Sequence, residues 1–205
     1  MEGRAMSAQK EEKPVQTEKF QRIVAVASEL FATRGFDGTS MRDVAEACEI
    51  SKSLLYHHFA NKEDLYRHIA FNATVSLYDH VEERIPADGP ASEKVRAFMI
   101  ATAEFFDKHR WAWIAATTAF WAGNDIVHRN SRMERRDSFE RRLRALLQEG
   151  IDNGEFDAMD VPMTGRLILS SLNWMYKWYN PEKPKTPQEI ASIYFDTILR
   201  GLAKR

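Results

Sequence analysis

The sequence predicts an all-α chain, with a short, cap-rich helical triplet at its N-terminal end and a larger helical region behind it. Three observations carry that prediction. Apolar residues recur at three- and four-residue spacing almost everywhere, and alternation at period two is nowhere sustained. Residues able to cap helices stand at the heads of the periodic segments, and Gly, Asn and Pro stand at their ends. The 205 residues, 44% hydrophobic and 29% charged, have the makeup of an ordinary globular chain, long enough for one large domain or two small ones.

Taken in order, Phe20, Ile23, Val24, Ala27, Leu30 and Phe31 form one helical stripe. It ends at Arg34-Gly35-Phe36, where Gly35 suits a left-handed cap and Phe36 can fold back onto the last turn. Ser40 with Asp43 reads as a capping box opening a helix over 41–48, whose Met41, Val44, Ala45 and Cys48 share a face. Ser51 caps a second short helix over 52–58. Asn61, with Asp64, caps a long one to about Ile85, and Pro86-Ala87-Asp88-Gly89-Pro90 interrupts the chain. Further helices are expected over 91–108, 110–123, 126–153, 161–179 and 187–203, with breaks at Gly123-Asn124, Asn153-Gly154 and Asn180-Pro181. The expected organisation is a flexible tail over 1–16, a first domain over 17–68 and a second over 69–205, the boundary falling inside the long helix where the short capped helices end.

Composition narrows the function. A net charge of −1 leaves no global field for a polyanion, so any nucleic-acid surface is a local patch. The single Cys48 permits no intramolecular disulfide and no multi-thiolate metal site, which fits a reducing cytoplasm. The charged N-terminus is no signal peptide. The mostly apolar run WAWIAATTAFWA (111–122) is shorter than the roughly 20 residues a bilayer-spanning helix needs, so no membrane partner is expected. The tail could serve as a basic arm on DNA, but Glu2, Glu11 and Glu12 offset its basic residues.

Two very short helices must be held by their neighbours, and two of them joined by a tight turn make a helix-turn-helix. The second helix offers Ser51, Lys52 and Ser53 at its start, where a recognition helix meets base edges and phosphate. Leu54, Leu55 and Phe59 lie on a packing face. His57 and His58 are adjacent and so diverge by about 100°, whereas a helical metal pair needs neighbours three or four apart. No metal or other cofactor is expected. Asp64 and His68 could orient a base, but no nucleophilic cysteine, carboxylate pair or Gly-rich phosphate loop completes a catalytic site, and Asp64 is better used as a helix cap. A helical protein-binding adaptor is the remaining class.

The run TSMRDVAEACEISKSLLYHHFANKEDLY (39–66) resembles the DNA-binding signature of TetR-family repressors, and the match extends from about residue 18 to 70 without gaps. The resemblance implies an all-α homodimer of about nine helices per chain. Its first three helices bind double-stranded operator DNA, and the rest form a ligand pocket and dimer surface. Carried over position by position, it places Ser40 and Arg42 near phosphates, Lys52 and Ser53 at the major groove, Tyr56 and His57 against backbone and bases, and Lys62 on a phosphate. His58 is as well suited to packing beneath the fold. The family usually has Gly where this chain has Glu49, in the turn between the paired helices; a positive φ there costs Glu on the order of 1 kcal/mol.

Aromatics crowd the second region, with Trp111, Trp113, Phe120 and Trp121 on one segment and Trp174 and Trp178 on another. Such stripes are ordinary core or the wall of a pocket. The stretch HRNSRMERRDSFERRLR (128–144) sets seven arginines against three acids. Arg136–Glu140, Asp137–Arg141 and Glu140–Arg144 are spaced to pair along a helix, and within this stretch Arg129, Arg132 and Arg135 lack an acid four residues away. Unpaired arginines beside aromatics suit a ligand with phosphates and an apolar tail. The run SLNWMYKWYNPEKPKTPQEIASIYFDTILRGL (171–202) resembles TetR-family members that respond to acyl-CoA thioesters. That implies an acyl-CoA-like effector, with Trp113, Phe120, Trp121 and Trp174 near its acyl part and Arg132 or Arg166 near its phosphates, and release of the repressor from DNA on binding. The alternative effector is another hydrophobic molecule, a drug-like compound or a free acid.

Overall fold

The structure, a computed structural model, describes residues 18–122 and 129–202, with side chains described for 18–117 and 136–201. The tail expected over 1–16 and the break expected at Gly123-Asn124 lie outside the described residues. Among the described residues ten helices follow one another: α1 (Glu18–Arg34), α2 (Met41–Ala47), α3 (Lys52–His58), α4 (Lys62–Glu82), α5 (Ala91–Lys108), α6 (Arg110–Ala122), α7 (Arg129–Asp152), α8 (Val161–Asn173), the single turn α9 (Met175–Trp178) and α10 (Pro187–Leu202). The described residues contain no extended strand.

The caps form where the sequence places them. Ser40 accepts from the Asp43 N–H at 3.2 Å while Asp43 accepts from the Ser40 N–H at 2.7 Å, closing the capping box. The Ser51 hydroxyl and the Asn61 side chain accept from Leu54 N–H and Asp64 N–H in the same way. Gly35 takes a φ of 77°, and the Phe36 ring returns to within 5.8 Å of Phe31.

Two expected helices differ. The one over 61–85 ends at Glu82, because the Arg84 N–H turns back to Val81 O, three residues behind, and tightens the last turn. The one over 161–179 is interrupted at Trp174. Ser171 Oγ draws on Ile168 O at 2.7 Å, and the Lys177 N–H bonds Trp174 O three residues back instead of four, so the helix tightens and restarts as α9.

Apolar residues gather in two clusters. The first joins Ile23, Ala27 and Phe31 of α1, Val44 and Cys48 of the α2 end, Leu55 and Phe59 of α3, and Leu65 and Ile69 of α4. Ala115 of α6 completes it. The second is built from Phe98, Met99, Phe105 and Phe106 of α5, Trp113 of α6, Leu143, Leu146 and Leu147 of α7, and Ile168, Leu172, Met175 and Phe195 beyond. Ion pairs tie its helices across: Lys94 to Glu149 at 2.6 Å and Arg142 to Glu82 at 2.7 Å. Helices α4 and α6 take part in both clusters, Leu65, Ile69 and Ala115 in the first and Val81 and Trp113 in the second.

Candidate nucleic-acid interface and the adjoining cavity

The turn between α2 and α3 sets the geometry of the first site. Past Cys48, the Glu49 N–H bonds Glu46 O at 3.1 Å and the Ile50 N–H bonds Ala45 O at 3.0 Å. Those two bonds define a Schellman ending, whose middle residue must be left-handed. Glu49 fills that position at a φ of 57°, the sole positive φ outside glycine among the described residues. Ile50 then packs partly into the first core, and Ser51 starts α3.

Leu55 is fully buried, and Phe59 behind it nearly so. Ser53, Tyr56 and His57 project on the side of the helix away from Leu55. Lys52, Ser53 and His57 are exposed, and Tyr56 is 51% exposed despite its size. The start of α2 adds exposed Ser40 and Arg42, whose Nε donates to Glu46 at 2.7 Å. The surface thus gathers hydroxyls, a lysine, an arginine, a phenol and an imidazole at two helix starts, where backbone N–H groups also favour phosphate. Hydrogen bonds from Ser40 hold the Asp43 carboxyl below the usual carboxylate range.

Lys62 is placed differently from a free surface cation. Its ammonium donates to the Phe36 carbonyl at 2.8 Å and stands 4.1 Å from the centre of that ring. It therefore ties α4 to the α1–α2 turn, with two donors left over. His58 packs inward against Phe20, ring centres 5.6 Å apart. His68 meets the same ring at 5.0 Å and pairs with Asn72 at 2.7 Å, and burial pushes its pKa down. Asp64 is held in its capping role, accepting from the Ala60 N–H at 3.1 Å. Among the described residues, no group of three His, Cys, Asp or Glu side chains could hold a metal ion.

Behind this face, a cavity of about 580 Å³ lies between α4, α6, α7 and α8. Ala70, Ala73, Thr74, Leu77 and Tyr78 line it from α4, Trp113, Ala116 and Thr117 from α6, Phe139 and Glu140 from α7, and Arg166, Leu169 and Asn173 from α8. Its size and its mostly apolar wall with a few polar groups are those of a small-molecule site. Of the residues expected around a ligand, Trp113 and Arg166 stand on this wall. Trp174 does not: it is 60% exposed and packs near Tyr176, because the break in α8 turns it away. The side chains of Phe120, Trp121 and Arg132 lie outside the described residues.

Sequence reasoning missed Tyr78, Phe139 and Glu140. It followed the large aromatics, whereas the clearer signal is small residues on facing helices: Ala70 and Ala73 three apart on α4, Ala116 and Thr117 on α6. Small side chains opposite one another leave room. The spacing of Glu140 and Arg144 does give an ion pair, but Arg141 donates to Ser138 Oγ at 2.7 Å. The wall also holds Asp79 and Arg136.

Comparison with known proteins agrees with this geometry. Residues 23–69 match the model of bacterial regulatory proteins of the tetR family, and residues 88–202 match that of the tetracyclin repressor-like C-terminal domain. The chain is 26% identical over 184 residues to the HTH-type transcriptional repressor KstR2 of Mycobacterium tuberculosis, covering 89% of this chain and 92% of that one. The solved TetR family transcriptional regulator PfmR from Thermus thermophilus superposes with a TM-score of 0.80 at 34% identity, over 90% of this chain and 97% of that one. AibR in complex with isovaleryl coenzyme A and operator DNA superposes with a TM-score of 0.76 at 25% identity, over 88% and 97%.

Proposed function

The chain belongs to the TetR family of bacterial transcriptional regulators, and from that premise we propose that it is a repressor released from its operator by an acyl-CoA thioester. Regulators of this family are DNA-binding transcription factors, not enzymes. In the proposal, residues 17–68 bind DNA and 69–205 hold the effector and the partner subunit. Ser40, Arg42, Ser51, Lys52, Ser53, Tyr56, His57 and Lys62 meet a palindromic operator. Two such faces on a homodimer reach half-sites about 34–36 Å apart.

The observation that carries the proposal is the sharing of α4 and α6. Leu65, Ile69 and Ala115 belong to the core beneath the recognition helix, while Ala70, Thr74, Leu77, Trp113, Ala116 and Thr117 of the same helices line the cavity. The Tyr66 hydroxyl also bonds Ala115 O at 2.7 Å, joining the two helices. A ligand that moves either helix moves the recognition helix with it. Ligand and DNA then favour different states and oppose each other. The cavity's apolar wall and Arg166 suit an apolar tail joined to an anion, and the similarity to AibR, solved with isovaleryl coenzyme A and operator DNA, supports a CoA thioester.

A homodimer is supported by large apolar side chains left exposed from α8 to α10: Met163, Leu167, Trp174, Trp178 and Ile193, with Leu167 and Trp174 each 60% exposed. No helix among the described residues is long and apolar enough to cross a membrane, and the proposed site of action is the cytoplasm. A second reading, a cationic hydrophobic effector, is favoured by Asp79 on the cavity wall.

Titrating a series of CoA thioesters into the complex with the chain's own promoter region tests the proposal. Expected are a shifted band holding two chains per half-site pair and its loss with at least one ester at stoichiometric excess. A complex that survives every ester removes the acyl-CoA effector. Absence of any shift leaves the adaptor reading.

A further inference from the structure

We propose that Glu140 sets the charge selectivity of the cavity: it is an internal counter-ion that the anionic group of an amphiphilic ligand displaces from Arg166. The proposal rests on the reading that this cavity is the effector site. The Glu140 side chain is 14% exposed, and one of its oxygens serves two guanidinium groups. It is hydrogen-bonded to Arg144 Nη2, one turn further along α7, and stands 3.6 Å from Arg166 Nε on α8.

The two arginines are not equivalent. Arg144 is the more enclosed, its side chain 29% exposed. Its stem crosses Gly165, where an added Cβ would come within 3.3 Å of its Cγ, and its Nε is buried without a hydrogen-bond partner. Arg166 is 63% exposed and lines the cavity. It is weakly held, by the long approach to Glu140 and by an Nη1 contact with Met163 Sδ at 3.9 Å. Passing Arg166 to a ligand anion exchanges that approach for a direct charge-assisted bond, and Glu140 keeps Arg144 as its counter-ion. Since Arg144 neutralises Glu140 from behind, the carboxylate is a poor lure for a cation. The apolar tail of the ligand takes the wall of Leu77, Trp113 and Phe139.

The class recognised is an apolar chain bearing a phosphate or carboxylate. The test uses two dyes, the anionic anilinonaphthalene sulfonate and the neutral phenylnaphthylamine, titrated by fluorescence into the full chain. Glu140→Gln is expected to bind the anionic dye roughly 5-fold tighter and Arg166→Gln roughly 5-fold weaker, with the neutral dye unchanged in both. Displacement of the anionic dye by octanoyl-CoA but not octanoate assigns the anion to phosphate; the reverse order assigns it to carboxylate. An anionic-dye affinity unchanged or weaker in Glu140→Gln overturns the proposal, as does a neutral dye that shifts in parallel. If the wild-type operator complex also releases with a CoA ester, the effector reading survives that failure. Tighter anionic-dye binding in Glu140→Gln, in a protein whose operator complex ignores every CoA ester, leaves the charge selectivity standing and removes the ester.

Discussion

Glu49 shows how far a single position can be read. Its neighbours announce a helix, a turn and a second helix, and the family resemblance places Gly in that turn; the backbone then holds Glu49 at a φ of 57°. An L-residue in that region costs about 1–2 kcal/mol, and glycine gives back part of this through its freer unfolded chain. Glu49→Gly is therefore expected to stabilise by about 0.5–1 kcal/mol, a rise of roughly 1–4 °C in Tm for a chain of this size. The substitution also removes the Arg22–Glu49 ion pair, but at 3.8 Å between exposed groups that pair contributes little. A lower Tm on thermal melting would mean that the turn is held by the glutamate and not strained by it. The same neighbourhood marks the limit of residue-level reading. Tyr56 and His57 were legible as outward-facing because helical phase fixes direction. The Lys62 bond to Phe36 O, 26 residues away, has no local signal in the sequence.

At the scale of elements, breaks were legible where the chain supplies Gly, Pro or a cap, and illegible where a tertiary or backward hydrogen bond decides. Asn153-Gly154 ends α7 as expected, with Gly154 at a φ of 73°. The interruption at Trp174 depends on Ser171 bonding backward, which no pattern of apolar spacing encodes. The end of α7 holds a further constraint. An added Cβ at Gly150 would stand 2.2 Å from the Phe156 ring, which is buried and whose N–H bonds Gly150 O at 3.0 Å. Helix propensity alone favours Gly150→Ala by about 1 kcal/mol, but displacing a packed ring costs about 1–3 kcal/mol. The ring sits in the main core and is held by the turn that follows, so the steric effect dominates. Gly150→Ala is expected to lower stability by up to about 2 kcal/mol in urea unfolding. A midpoint at or above that of the wild type would show that Phe156 moves aside without cost.

For the molecule as a whole, the sequence conveyed two helical regions but not the volume between them, because a cavity is set by how helices from distant parts of the chain face one another. Three histidines packed on aromatic rings follow the same logic and give a global prediction. His68 lies between Phe20 and Phe59, His109 lies on Phe105 at 4.4 Å, and His80 stands near Phe105 and 3.5 Å from Glu104. Burial is the first cause that lowers the pKa of all three; Arg84 and then Lys108 add to it at His80, and His80 and then Lys108 at His109. A group whose folded pKa is depressed binds fewer protons in the native chain than in the unfolded one once the pH falls towards the unfolded value, about 6.5 for histidine. Stability contributed by the neutral rings is therefore complete above neutral pH and declines as pH falls through about 6.5 towards their lower folded values. The carboxyls of Glu104 and Glu155, held low by Lys108 and by the Ser92 and Ala91 N–H groups, stay ionised in that window and drop out only in stronger acid. Thermal melting at low salt should thus show Tm falling between about pH 7.5 and 5, before the carboxylates titrate. His109→Gln should flatten part of that slope, since Gln has no charge to bury and removes the like-charge partner of His80. A Tm that stays level from pH 7.5 to 5, or a slope His109→Gln leaves untouched, would place the acid-sensitive groups elsewhere.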